Sequence, residues 1–264
     1  METNQFELTR QLAAMPVWQA AVVVLGVGTL LGVAGPLVLR RLFGLDRLRI
    51  NNEVAGFKFA VVGVIYAVIV GFATIVVWEK FREAEMAAVQ EAGAVAALLR
   101  LSDGLEPSAA QHVRDSLNVY LHSVIEDDWP AMNLGRGSAK VPGALDGLYD
   151  TVMPHGQHGP AELAVVQEML SQLDAVTSAR RARLSLAQGV VPSVLWLVLF
   201  SGGAVTVVFT FFFGSSSLVA QTLMNGLLSF LVAMSLFVIV EIAYPFTGPV
   251  SVSPEPLMLL LHRV

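Results

Sequence analysis

The sequence predicts an all-helical membrane protein, with four transmembrane helices in two hairpins flanking a central helical soluble domain. Three observations carry that expectation. Hydrophobic residues make up 55% of the 264-residue chain, charged residues only 14%, and the mean hydropathy is +0.66, whereas a soluble domain carries about 25% charge. Four apolar runs, at 17–39, 57–78, 190–213 and 218–243, each reach the roughly 20 residues that a hydrocarbon core requires. Between the second and third runs, 79–188 gathers 15 acidic residues against nine basic ones. The organisation expected is a first hairpin over 1–78, a polar helical domain over 79–188, and a second hairpin with a short tail over 189–264.

The first run is too long for the core of a secretory signal, and the residues before it carry one Arg against two Glu. It is therefore expected to be a retained span. Its Gly26, Gly28, Gly32 and Gly35 suit helix packing. The loop that follows holds Arg40, Arg41, Arg47 and Arg49, a basic collar suited to lipid phosphate or to concentrating anions at a pore mouth.

The second run carries small residues at Gly56, Ala60, Gly63, Ala67, Gly71 and Thr74, in steps of three and four that place all six on one helical face. Without a hydrophobic drive between helices in lipid, such a face is how two backbones approach closely. Nothing stops the helix at the membrane edge: no Pro occurs between Gly56 and Leu101. From Gly56 to Leu101 the helix would be about 69 Å long at 1.5 Å per residue.

In the polar block, a helix from Pro107 or Ser108 to Asp128 has its apolar stripe at Val113, Leu117, Tyr120, Leu121 and Val124. The Gly- and Pro-rich stretch 129–160 is expected to be loop with one short helix over 144–152. A long helix over 161–186 buries Leu163, Val166, Leu170, Leu173 and Val176. On the third span Thr206 and Thr210 can bond back to their own helix. On the fourth, Gln221, Asn225 and Ser229 make a polar stripe that serves interhelical hydrogen bonding or lines a pore. Glu241 is the carboxylate inside these spans, near enough to the interface to snorkel to water.

Two spans on each side of the polar block put that block and both termini on one face of the membrane. The collar arginines argue for an outside domain, while Arg10, Lys80, Arg82, Arg180, Arg181, Arg183 and Arg263 argue for a cytoplasmic one. The second count favours the cytoplasm.

Chemistry-bearing clusters are few. Glu126, Asp127 and Asp128 could offer oxygens to a hard cation, but the spaced ligands and turn Gly of a calcium loop are missing, which favours a solvated helix end. His155 and His158 lack partners for a zinc site in a chain without Cys. No nucleophile–base pair or phosphate loop appears, so no enzyme activity or cofactor is expected. A net charge of −5 and no basic aromatic surface speak against nucleic acid as a partner.

The motifs Asn51-Asn52-Glu53-Val54-Ala55-Gly56, Val77-Trp78-Glu79-Lys80-Phe81, Glu91-Ala92, Asp128-Trp129-Pro130-Ala131-Met132, Ala179-Arg180-Arg181-Ala182-Arg183-Leu184, Tyr244-Pro245-Phe246-Thr247-Gly248 and Ser253-Pro254-Glu255 occur in this order. With them the chain resembles the bestrophin-like family of bacterial and plant membrane proteins. The resemblance to bestrophins implies a pentameric anion channel whose second span lines the pore. A bestrophin calcium clasp follows the last span, and this chain has no acidic cluster after Ala243, so a clasp does not carry over. The resulting expectation is a homo-oligomer in contact with membrane lipid, conducting small ions, with Val62, Ile69 and Phe72 as candidates for a constriction that gates by dewetting. The alternative is a membrane-anchored sensor or scaffold whose helical bundle binds a partner.

Overall fold

The computed structural model describes residues 2–43, 52–155 and 160–263; Arg47, Arg49 and His158 lie outside the described residues. In chain order the elements are α1 (Glu2–Ala14), α2 (Val17–Phe43), α3 (Asn52–Ser102), α4 (Pro107–Ser123), a π-helical turn (Val124–Asp128), α5 (Trp129–Asn133), α6 (Val141–Val152), α7 (Pro160–Ala187), α8 (Ser193–Phe211), α9 (Leu218–Ile242) and α10 (Glu255–Leu261). Among the described residues there is no strand. Four helices, α2, α3, α8 and α9, are long and apolar enough to cross a membrane. The second of them continues as one 51-residue helix to Ser102.

The chain divides into two compact units, one of Met1–Glu79 with Val191–Ala243 and one of Lys80–Val190 with Tyr244–Val264. In the first unit, α9 lies along α2 more extensively than any other described pair of elements. The reason is a seam of glycines. A Cβ on Gly28 would sit 2.7 Å from the Ala233 methyl, and one on Gly32 would sit 2.0 Å from Ser229 Oγ and 2.9 Å from the Asn225 carbonyl oxygen. As the α2 number rises the α9 number falls, so the pair is antiparallel with backbones in near contact, the arrangement that small residues permit in lipid. Gly35 makes room for the Phe211 ring of α8, whereas Gly26 has nothing within 4 Å. Three of the four first-span glycines thus have a packing role.

The second unit is built from the latter part of α3 with α4, α6, α7 and α10. Its core includes Leu98, Leu117, Tyr120, Leu148, Met169 and Leu173, all fully buried. Two expectations change here. Residues 129–160 hold α5 and a 12-residue α6, because Pro130 and Pro142 stand in the first turns of those helices, where a missing N–H costs nothing. A Pro in that position starts a helix. The helix expected to run to Asp128 changes hydrogen-bond pattern after Ser123: the Trp129 N–H reaches back to Val124 O, five residues away, as in a π-helix.

A positive φ of +106° suits Gly189, and a side chain there would also strike the Tyr244 ring at 2.8 Å. The segment after α9 folds with the second unit, placing Leu257 and Leu260 of α10 in the core against α4.

The glycine seam yields a paired prediction. Gly32→Ala pushes a methyl into backbone that no rotamer change can move, and should cost about 1–3 kcal/mol by overpacking. Gly26→Ala should be neutral or slightly stabilising. Thermal unfolding of the two purified variants in the same detergent should separate them, and equal melting temperatures would contradict the seam.

Candidate functional site

Two groups of residues stand out: one surrounds the membrane part of α3, the other is a buried charge network in the second unit. In the membrane part, one side of α3 is fastened to α8 at levels seven residues apart, which is two turns. Asn52 donates through Nδ2 to Gly214 O at 2.8 Å and accepts from Gly214 N at 3.0 Å. Phe59 stacks on Phe209 at 5.9 Å and meets Phe213 edge-on at 5.8 Å. Tyr66 donates to Leu199 O at 3.2 Å, and a Cβ on Gly202 would come within 2.8 Å of its ring and one on Gly203 within 2.8 Å of its hydroxyl. Ala73 continues the same buried line.

The small-residue face points elsewhere. Gly63 and Gly71 have nothing within 4 Å of a Cβ, and Gly56 has only Phe213 Cε1 at 4.0 Å. Ala60 and Ala67 are exposed, and Thr74 is half-buried with its hydroxyl spent on Val70 O. Among the described residues, no helix of the same chain lies against Gly63 or Gly71. The three constriction candidates do not share one environment: Val62 and Ile69 line a cleft with Val198, Gly202 and Val205 of α8, while Phe72 is 68% exposed. Phe72 falls instead on a stripe with Val61, Ile65 and Val68, all exposed and spaced four, three and four apart.

The polar stripe of α9 is interior. Gln221 Nε2 donates to Phe213 O at 2.5 Å and Asn225 Nδ2 to Thr210 O at 3.5 Å. Ser229 sits in the glycine seam with its hydroxyl unpartnered. Glu241 does not snorkel: it is 5% exposed, and neither carboxyl oxygen has a hydrogen-bond partner among the described residues. Of the collar, Arg40 is half-buried and Arg41 exposed.

The acidic triplet is split among three partners. Glu126 meets His122 at 3.1 Å, Asp127 meets Lys140 at 2.7 Å, and Asp128 is fully buried. Asp128 accepts from Arg180 Nε at 2.8 Å, from Arg180 Nη2 at 3.2 Å and from Ser138 N at 2.7 Å. It is no solvated helix end, and among the described residues no group of three His, Asp or Glu could hold a metal ion. The Asp127 hydrogen bond and charge hold the Lys140 ammonium above its ordinary pKa.

Asp128 belongs to a network centred on Glu91 and Arg183, both without exposed surface. Glu91 accepts from Arg183 Nε at 2.5 Å, from Arg183 Nη2 at 2.9 Å and from the Tyr120 hydroxyl at 2.8 Å. Arg183 Nη1 also reaches Met132 Sδ at 3.2 Å, and the guanidinium lies 4.5 Å over the Trp129 ring, a cation–π distance. Burial lowers the pKa of Arg183, but the Glu91 carboxylate beside it more than restores it. Burial, reinforced by the Glu91 charge, pushes the Tyr120 hydroxyl well above its usual pKa and keeps it a donor.

Trp129 extends the network to the segment after α9, donating to Val252 O at 3.1 Å and meeting Phe246 edge-on at 5.8 Å. Thr247 Oγ1 donates to Asn133 O at 3.0 Å. The motifs Glu91, Asp128-Trp129, Arg180 to Arg183 and Phe246-Thr247 therefore meet in one place. A signal for this lay in the sequence: Asp128 is four residues past Val124, Arg180 four past Val176 and Arg183 three further on. These charges continue apolar stripes, with two acids facing two bases.

The model of the Bestrophin-like domain matches residues 26–257. No curated protein sequence matches. Among solved structures, a Klebsiella pneumoniae bestrophin homologue carrying one substitution superposes with a TM-score of 0.72 at 15% identity, over 92% of this chain and 96% of that one. Another variant from that organism gives 0.71 at 15% identity, over 94% and 96%. A crystal structure described as a membrane protein gives 0.68 at 18%, over 89% and 93%. At these identities the likeness is one of fold.

Breaking one partner of a buried ion pair costs about 3–5 kcal/mol, and replacing both by apolar groups costs much less. Glu91→Leu should therefore destabilise the protein strongly, whereas Glu91→Leu with Arg183→Met should recover most of the loss. Denaturation of the purified variants measures both, and a double variant as weak as the sum of the singles would contradict the pairing.

Proposed function

The chain belongs to the bestrophin-like family, and on that premise we propose that it is a homo-oligomeric ion channel in which the α3 helices of several copies surround a conduction axis. The observation that carries this reading is the small-residue face of α3, open in its own chain at Gly63 and Gly71. In lipid a glycine face gains nothing over a leucine face unless another helix lies against it. A neighbouring copy supplies that helix, in a ring of five by the family resemblance.

With the small face against a neighbour, the stripe of Val61, Ile65, Val68 and Phe72 turns towards the axis, and Val62 and Ile69 flank it. An apolar ring of this kind resists wetting and forms the constriction. Lys58, three residues before Val61 on the same stripe and exposed, places one cation per copy at the mouth and favours anions. Glu79 continues the stripe at the far end, where Lys80 and Arg82 adjoin it. The polar unit and both termini face the cytoplasm.

Burial of Arg180 and Arg183 in ion pairs takes them out of any count of interfacial charge. Arg10, Lys80, Arg82, Arg181 and Arg263 remain for the cytoplasmic side.

Flux through liposomes holding the purified oligomer tests the reading. Under a chloride gradient the protein should dissipate the gradient, Phe72→Ser should raise the rate several-fold, and Lys58→Glu should lower the preference for anions. A folded oligomer that passes no ion, and whose Phe72 and Lys58 variants behave identically, would leave the scaffold reading in its place.

A further inference from the structure

The end of the α8–α9 hairpin bears an open cavity of about 630 Å³, walled by the start of α3, the end of α8 and the first turns of α9. Most of its polar wall is already committed. The Asn52 amide is used in both directions by Gly214, and Asn225 Nδ2 donates to Thr210 O. Gln221 is different. Its Nε2 donates to Phe213 O at 2.5 Å, and because a carbonyl can only accept, that bond fixes the amide's orientation. Among the described residues no donor reaches Gln221 Oε1, on a side chain that is 3% exposed. A buried acceptor with no donor is a costly arrangement unless something fills the cavity.

The remaining wall describes the missing group. Phe59 and Phe213, in edge-on contact at 5.8 Å, border the same cavity, and aromatic rings attract a cation. The rim carries Ser215 and Ser216, and the chain runs directly from it into the N-terminus of α9, capped by Ser217 Oγ accepting from Ala220 N at 3.3 Å. That rim offers donors and the positive end of a 25-residue helix to an anion. Ser217 and Gln221 are one helical turn apart, about 6 Å. A ligand matching both ends carries a hydrogen-bond-donating cation and an anion one turn away.

We propose that this cavity binds the zwitterionic head group of an ethanolamine phospholipid. The ammonium donates to Gln221 Oε1 beside the two rings, and the phosphate lies at Ser215, Ser216 and the first turn of α9. The lipid is the chosen source because the cavity opens at the end of membrane-spanning helices, where head groups are concentrated. The assignment does not depend on ion conduction.

The choline head group is the decisive comparison, because it keeps both charges and the attraction to the rings but its three methyl groups remove every N–H donor. The full-length protein, equilibrated in detergent with equal amounts of ethanolamine and choline phospholipid of identical chains, is to be stripped of free lipid and its bound lipid quantified by native mass spectrometry. The wild type should retain the ethanolamine lipid about tenfold over the choline lipid, a difference of about 1.4 kcal/mol. Gln221→Leu should bring the ratio to about one. The double variant Ser215→Ala, Ser216→Ala should lower retention of both lipids and leave the ratio unchanged, which keeps a decision available if Gln221→Leu does not fold. Equal retention by the wild type, or no enrichment of either lipid, overturns the proposal and leaves the cavity to water. Displacement of the lipid by millimolar soluble phosphoethanolamine overturns the lipid source in favour of a soluble ligand with the same head group.

Discussion

A carboxylate and a guanidinium that have both lost all contact with water cannot be parted without leaving a bare charge in the interior, and the Glu91–Arg183 pair holds the second unit to that condition. The pair joins α3 to α7. Through Glu91 Oε1 it takes in Tyr120 of α4, and through Arg183 it takes in Met132 of α5 and the face of Trp129. Arg180 and Asp128 close the charge balance, two against two. Each of these groups would be costly to bury alone, so the network admits one arrangement of four elements and the segment 244–252 laid over Trp129. That specificity explains why the recognisable motifs are scattered along the sequence yet meet in space.

The membrane unit obeys a different rule. With water absent, contact is governed by how closely backbones approach, and glycines mark where they do. On α2 the glycines at 28 and 32 are filled by α9. On α3, those at 63 and 71 are open. The same helix that is held by charge in the polar unit therefore presents an unfilled small-residue face in the membrane, beside an apolar stripe ending in Phe72. In the proposed channel, a second copy of the chain completes this face, and repetition of that contact around an axis lines a pore with α3.

Much of the fold was legible because hydropathy and helical period are local signals. The four spans and the unbroken second helix follow from runs of apolar residues and from the absence of Pro between Gly56 and Leu101. Pro130 and Pro142 misled because a helix start and a helix break share a residue type. The pairing of Asp128, Arg180 and Arg183 is invisible to any local pattern because their partners are distant in sequence: Glu91 and Arg183 are 92 residues apart. Glu241 was expected at the interface from its position near a helix end, yet the packing around α9 encloses it. The three constriction candidates looked alike in sequence, since no single-helix pattern reveals that Val62 and Ile69 border a cleft against α8 while Phe72 stands exposed.

The central claim, that the free stripe of α3 faces an aqueous axis rather than lipid, is open to direct chemical measurement because the chain contains no cysteine. Single cysteines at Val61, Val68 and Phe72, and a control at the exposed Leu30 of α2, can be challenged with a charged, membrane-impermeant thiol reagent in intact proteoliposomes. A water-lined axis predicts modification at the three α3 positions and none at Leu30. Three α3 cysteines as inert as the one at Leu30, in protein that remains folded, would contradict it.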